Sequence, residues 1–240
     1  MESPIQRVGK QTDPGYRRNE DGQTVIEQAT VAMQNLIMRG RYAPGQRLVE
    51  ADLTRELKIS RGSVREVLRR LQTDGLVSIE AYRGAVVAPL SREGLRNAFD
   101  VREVIEGLGA RVAAERFARG DFPSTATEKK LREWAETGSG DQDEYMDRNV
   151  QFHNFIAELS GNPYLLPLLT QMQLATRRTH FATVMSRQSI EASMKEHLEV
   201  VDAICNGDPV RAERTMRRHI RRTAKLAERL PDYLFFGSAD

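Results

Sequence analysis

A single cysteine among 240 residues rules out a disulfide framework within the chain. No apolar stretch approaches the roughly 20 residues needed to cross a bilayer, and the segment through Gly22 lacks an apolar signal-peptide core. These absences point to a soluble, cytoplasmic protein. Residues 1–22 are polar and hold Pro4, Gly9, Pro14 and Gly15, so they read as a flexible arm. No internal repeat is visible. An excess of one charge is lacking too, since 36 Lys and Arg stand against 34 Asp and Glu, a formal net charge of +2. That balance is uneven along the chain: residues 1–90 hold 14 basic and 11 acidic side chains, and the remainder hold 22 and 23. Positive charge leans toward the N-terminal part.

Four arginines fall within the stretch ISRGSVREVLRRLQTDGLV, residues 59–77. Val64, Val67, Leu68 and Leu71 follow i, i+3, i+4 and i+7, the spacing of one buried helical face. Ser60 is placed to cap the start, and Gly75 followed by Leu76 is a C-terminal stop, so the spacing predicts a helix over 61–74. Arg61, Arg65 and Arg69 then lie in a row along one exposed edge that begins at the N-terminal tip, where the helix dipole favours anions. Read alone, that edge is either a solvated basic face or a phosphate-binding one.

The neighbouring segments decide between these. Val25, Ile26, Ala29, Met33, Leu36 and Ile37 mark a helix ending near Gly40, and Pro44 with Gly45 makes a turn. A short helix over 50–57 follows, separated from the Ser60 cap only by Lys58 and Ile59, which is helix-turn-helix spacing. Downstream, two strands at 76–80 and 85–88 flank the turn Ala81-Tyr82-Arg83-Gly84. Three helices and a hairpin within residues 23–90 make a winged helix, whose third helix enters a major groove with the wing beside it.

From Ser91 onward no strand pattern recurs. Helical periodicity covers 92–119, 125–137, 142–160, 163–185, 189–206 and 209–229, broken by GDFPS, TGSGD, SGNP, MSRQS and NGDP. The fold class expected is therefore mostly α: an N-terminal winged helix-turn-helix, a bundle of six helices over 91–230, and a tail over 231–240.

Polar residues interrupt the apolar stripes of that bundle. Ala98, Arg102, Ile105, Gly109 and Val112 share a face, as do Asn149, Phe152, His153, Ile156 and Leu159. His197 sits between Met194 and Val201 on a third stripe, and His219 between Met216 and Thr223 on a fourth. One inward histidine is usually a satisfied core residue. Three are harder to satisfy separately, because each buried imidazole without a partner costs about 1–3 kcal/mol. They are met most simply by one shared ligand, and neutral imidazole suits zinc, nickel, copper or iron. Asn149 and His153, at i and i+4, can reach one ion together. Arg102 has two readings: an internal pair with Glu106 one turn later, or a bidentate receptor for an organic carboxylate beside an open metal position. Arg177, Arg178 and His180 read as solvated charge and receive no role.

The run RYAPGQRLVEADLTRELKISRGSVREVLRRLQTDGLVSIEAYRGAVV resembles the DNA-binding domain of GntR-type bacterial transcription regulators, with its P-G-x-x-L turn, S-R-x-x-V-R-E-x-L-x-x-L helix and glycine wing. The segment from about 94 to 229 is similar to the FCD effector domain of the FadR branch, in its V-R-x-x-I-E, N-x-x-x-H, S-G-N-P and E-H-L runs, and six helices suggest the VanR-like subgroup. The resemblance implies that Arg61 and Arg65 reach base edges and phosphates, that Ser60 and Ser63 bind the backbone, and that Arg83 and Gly84 approach the minor groove. It also implies a divalent metal, zinc foremost with nickel or another transition metal as alternatives, held by Asn149, His153, His197 and His219. Two departures stand out. Gly62 replaces the usual Thr or Asn, and Asn149 replaces the more frequent Asp, so a neutral amide stands where a carboxylate would bind a cation more strongly.

The function expected is a DNA-binding transcriptional regulator, a repressor, acting as a homodimer on a short inverted repeat of double-stranded DNA and controlled by a small organic acid. A metal sensor, in which the ion itself is the signal, uses the same residues. A metal-dependent hydrolase would need an acid or base beside the ion, and no H-E-x-x-H motif is present.

Overall fold

The computed structural model describes residues 23–38, 40–88, 91–136, 142–183, 186–232 and 235, with main chain only at 142, 143, 175 and 177–183. The expected N-terminal arm, most of the expected tail and the side chains of Arg177, Arg178 and His180 lie outside the described residues. The chain divides into two compact units, Met1–Ala88 and Pro89–Asp240.

In the first unit, α1 spans Val25–Met38, α2 Glu50–Leu57 and α3 Arg61–Thr73, followed by the strands β1, Val77–Glu80, and β2, Gly84–Val87. A reciprocal cap starts α1: Thr24 N–H donates to Glu27 Oε2 at 2.7 Å, and Glu27 N–H to Thr24 Oγ1 at 3.1 Å. The turn between α2 and α3 is tight because Lys58 adopts a left-handed conformation, φ 54°, and Ser60 Oγ accepts from Ser63 N–H at 3.1 Å. At the other end of α3, Leu76 N–H donates to Leu71 O at 2.9 Å and Gly75 N–H to Gln72 O at 3.0 Å, the paired bonds that close a helix on a left-handed glycine. Val64, Val67, Leu68 and Leu71 are buried, as their spacing predicts, and α3 packs against α1 and α2, whose Met33 and Leu53 are buried as well.

The strands pair antiparallel with Val77 opposite Val87 and Glu80 opposite Gly84, so β1 starts one residue later than expected and β2 one earlier. A third extended piece lies along β2. Gly45 N–H donates to Val87 O at 2.9 Å, Val87 N–H to Gln46 O at 2.9 Å and Leu48 N–H to Ala85 O at 2.8 Å. This pairing anchors the loop before α2 to the wing.

The second unit contains α4 Arg92–Arg119, α5 Ser124–Ala135, α6 Gln142–Leu159, α7 Leu165–Thr183, α8 Arg187–Cys205 and α9 Pro209–Glu228. No strand occurs among its described residues. The long α4 is the spine, packed along α9 and touching α6, α7 and α8. Small residues permit this: Ala110, Ala113 and Ala114 are fully buried, and a Cβ on Gly107 would stand 2.8 Å from the Arg217 side chain. Phe152, Ile156, Leu131, Val200, Ile204 and Met216 fill the centre. Helix α8 begins at Arg187, two residues before the expected start, because Ser186 supplies the cap to Ser189 N–H at 3.1 Å. Among the described residues no helix is long and apolar enough to cross a membrane.

Candidate DNA-contact face and buried histidine centre

On α3 the apolar face is spent on the core, which leaves Arg61, Arg65 and Arg69 on the outer surface. Arg65 and Arg69 have 71% and 73% of their side chains exposed. Each is nonetheless aimed by a carboxylate. Arg65 Nε lies 3.0 Å from Glu50 Oε2 on α2, and Arg69 Nη2 lies 2.7 Å from Glu66 Oε2 one turn back. The wing repeats the arrangement, with Arg83 Nη1 2.7 Å from Glu80 Oε2 and Nη2 donating to Gly45 O at 3.3 Å. These side chains border a groove of about 570 Å³ between α3 and the wing, whose wall also includes Arg47, Gln72 and Gly84. Four guanidinium groups around an open groove favour a polyanion.

Ser60 is exposed and caps α3. Ser63 departs from the expectation of a DNA-backbone contact: it is buried, with its hydroxyl 2.9 Å from Ser60 Oγ, so it serves the helix start from beneath. Sequence reading overlooked Arg47, because its place beside the wing depends on the long-range pairing with β2. Tyr82 was overlooked as well. It stands fully exposed at the tip of the wing in a left-handed conformation, φ 64°, which a non-glycine residue seldom adopts.

In the second unit the structure brings together the imidazoles of His153 on α6, His197 on α8 and His219 on α9. All three are buried, and one ring nitrogen of each lies within 4.8 Å of the others. His197 Nε2 and His219 Nε2 are 3.2 Å apart. Two nitrogens on one zinc ion, at 2.0–2.1 Å and a tetrahedral angle, stand about 3.3 Å apart, so this pair already has the required span. Burial, reinforced by the neighbouring imidazoles and Arg222, holds the pKa of His197 well below the ordinary histidine value. His219 is lowered in the same way, by burial first and then by His153 and Arg222. Both rings are therefore neutral near pH 7, the form that coordinates metals. Phe152 stacks on His197 with ring centroids 4.2 Å apart and fixes its plane. Asn149 is buried one turn before His153, and its Oδ1 accepts from Tyr145 Oη–H at 3.4 Å.

Arg102 points inward, as the stripe predicts, but it is not an open receptor. Its Nε donates to Glu106 Oε1 at 2.8 Å and its Nη1 to Thr176 Oγ1 at 2.8 Å, so the internal-pair reading is the arrangement observed. Glu106 is central here, because its Oε2 makes a close contact with His153 Nδ1, although not along a hydrogen-bond line. Burial alone would raise the Glu106 carboxyl, yet the charges of Arg102 and His153 outweigh it and bring the pKa down to about 2. On the far side of the centre, Glu196 Oε2 contacts His219 Nδ1 at 2.8 Å, and Arg222 Nε lies 2.7 Å from Glu196 Oε1. Sequence reading did not find Glu196 or Arg222. The available signals were local: Glu196 precedes His197, and Arg222 follows His219 by three residues on one helical face. The cavity beside His153, Glu106 and Leu165 measures about 10 Å³. That is room for about one water molecule.

A winged helix with an arginine-lined groove, joined in sequence to a helical unit with a buried polar centre, defines a DNA-binding transcription regulator. Residues 26–87 match the family described as bacterial regulatory proteins, gntR family, and residues 97–222, more than half of the chain, match the FCD domain. The chain belongs to the GntR family of transcription regulators and carries an FCD domain. Among its relatives, the galactonate operon transcriptional repressor of Escherichia coli K12 is 28% identical over 208 residues, covering 78% of this chain and 90% of that protein. The Nta operon transcriptional regulator of Aminobacter aminovorans is 28% identical over 165 residues, or 69% and 76% of the two chains. The solved structure of E. coli McbR/YncC superposes with a TM-score of 0.68 at 18% identity, over 85% of this chain and 97% of that one. A GntR regulator from Rhodococcus sp. RHA1 gives the same TM-score at 20% identity, over 84% and 96%. These two structures share the fold. The relatives are regulators rather than enzymes, and the hydrolase reading is set aside.

Proposed function

We propose that the protein is a cytoplasmic repressor that binds a short inverted repeat as a homodimer and changes its operator affinity when a small organic acid binds at a metal held in the FCD domain. The observation that carries this reading is the convergence of three buried imidazoles on one point, two of them, His197 and His219, with pKa values held well below the ordinary histidine value. His153, His197 and His219 would hold a divalent transition metal, zinc foremost, and Asn149 would add its amide oxygen. When bound, such an ion supplies a Lewis-acidic position for a carboxylate oxygen. The donor set fits because its imidazoles are buried, converge within 4.8 Å and include one pair at the span a zinc ion requires.

The small cavity beside His153 has a mechanical consequence. An acid of several atoms needs more than about 10 Å³, so its entry must widen the space enclosed by α4, α6, α7 and α9, and Arg102 then meets it by exchanging Glu106 for the incoming carboxylate. That coupled movement is how ligand binding would shift a two-state equilibrium, with a coupling of about 1–3 kcal/mol or roughly 5- to 150-fold in DNA affinity. For the homodimer, Val101 and Val104 on α4 and Leu168 on α7 are about half exposed, an apolar surface that a second copy would cover. At the DNA, Arg61 and Arg65 would contact bases and phosphates, Arg69 and Ser60 the backbone, and Arg83 with Gly84 the minor groove.

A second reading, in which the metal itself is the signal, is favoured by Asn149: a neutral fourth donor leaves the ion exchangeable. The two readings separate in an operator-binding titration. An acid effector changes affinity with zinc held saturating, whereas a metal sensor responds to chelation alone and ignores the acid. Operator affinity unmoved by organic acids and by chelation alike would contradict both.

A further inference from the structure

The wing ends in an aromatic ring rather than in an arginine. Between the paired residues Glu80 and Gly84 the turn holds only Ala81, Tyr82 and Arg83. Arg83 is folded back: its Nη1 lies 2.7 Å from Glu80 Oε2 and its Nη2 donates to Gly45 O at 3.3 Å, so its guanidinium ties the tip to β1 and to the loop before α2. Tyr82 is left outside. It is fully exposed, and its backbone is left-handed at φ 64°, close to Gly84 at φ 76°. A bulky residue seldom takes that conformation, and a ring that stands wholly in solvent returns no packing to the fold to offset the strain. Such strain persists where function uses it. The wing also presents a second apolar side chain, Ile79, half exposed on β1, on the wall of the groove that Arg65, Arg69 and Arg83 border.

We infer that Tyr82 is a wedge: its ring enters the minor groove and leans into a flexible pyrimidine–purine step, so that the wing selects base pairs by how easily they unstack. The minor groove of B-DNA is about 6 Å wide, room for a flat ring edge-on. Apolar side chains inserted there part neighbouring base pairs and kink the duplex, and the cost is lowest at TpA and CpA steps. That difference in cost is the source of the discrimination. Because Arg83 anchors the turn at both Glu80 and Gly45, the tip resists the push of the stacked bases. Ile79 offers an apolar surface to the sugar edges beside the ring. Tyr82 thereby adds a readout of step flexibility, which arginines bonded to phosphates and base edges do not supply. The inference rests on the reading of the first unit as an operator-binding winged helix.

The test selects binding sites from randomised duplexes with the full-length protein and with Tyr82→Ala, and reads both pools by sequencing. Both proteins are expected to enrich the same inverted repeat, while only the wild type enriches TpA or CpA steps at the flanking positions of the wing. On the duplex selected by the wild type, Tyr82→Ala should bind on the order of 10-fold more weakly, and Tyr82→Phe, which keeps the ring, should bind like the wild type. Tyr82→Gly separates binding from folding. It relieves the left-handed backbone, so its thermal midpoint should match or exceed that of the wild type while its affinity falls as in Tyr82→Ala. Duplexes carrying 2-aminopurine beside a TpA step report the wedge itself, because unstacking raises their fluorescence. The rise is expected with the wild type and not with Tyr82→Ala. An equal signal from both proteins, or the same flanking steps in both pools, would overturn the wedge. If the wild type enriches no inverted repeat, the operator reading fails, and the 2-aminopurine signal on an alternating A·T duplex still decides the wedge.

Discussion

Arg65 and Arg69 stand on the exposed edge of α3, yet each is aimed by a carboxylate of its own before any DNA arrives. Their exposure keeps those ion pairs weak, on the order of 0–1 kcal/mol, so phosphate or a guanine edge can displace the carboxylate. Arg65→Ala is expected to cost about 1–3 kcal/mol in operator binding and less on random DNA. Equal losses on both, measured by fluorescence anisotropy, would reduce Arg65 to a phosphate contact. Buried His197 and His219 give a second expectation at this scale. Their folded pKa values lie below the unfolded value of about 6.5, so acid favours the unfolded chain, which takes up protons that the folded one refuses. The sign follows: their contribution to stability is complete above about pH 6.5 and is lost as pH falls below it, by up to about 1.4 kcal/mol per pH unit for each ring. Urea unfolding of the metal-free protein should show a lower midpoint at pH 5.5 than at pH 7.5, and equal midpoints would contradict the burial of neutral rings. What the residue pattern conveyed was direction. It turned Arg102 and the three histidines inward, but it did not convey that Thr176, 74 residues away, and Glu196 would meet them, because those contacts depend on how helices cross.

Helix ends were the most legible elements, since caps and stops are short-range chemistry. Ser60 and Gly75 act where their types predict, and the start of α8 falls two residues earlier than expected because a neighbouring serine, Ser186, takes the capping role. The extended piece at 45–48 was illegible because its partner strand lies some 40 residues on. Two glycines that end helices separate local from tertiary effects. Gly120 has φ 73° with open space around a would-be Cβ, whereas at Gly207, φ 62°, that atom would stand 2.8 Å from Ala118 Cβ on α4. Gly120→Ala should cost about 1 kcal/mol, the left-handed penalty alone. Gly207→Ala adds overpacking against the spine helix and should cost about 2–4 kcal/mol in total. Urea unfolding curves for the two variants, followed by helical circular dichroism, measure the difference, and equal costs would show that the α4 contact yields freely.

At the scale of the whole molecule, two compact units carry two chemistries, an arginine-lined groove on the first and a buried set of imidazole donors in the second. The fold class and its division were legible because periodicity changes from strand and turn to helix near residue 90, and local patterns of that kind survive without tertiary information. The ligand preference of the centre was less so, because it depends on the two carboxylates and the distances among the rings. Metal content tests this account most directly. Full-length protein equilibrated with zinc and freed of excess should retain about one ion per chain by elemental analysis, and His197→Ala should retain none while keeping its helical circular dichroism. No zinc in the wild type, or equal zinc in both, would contradict it.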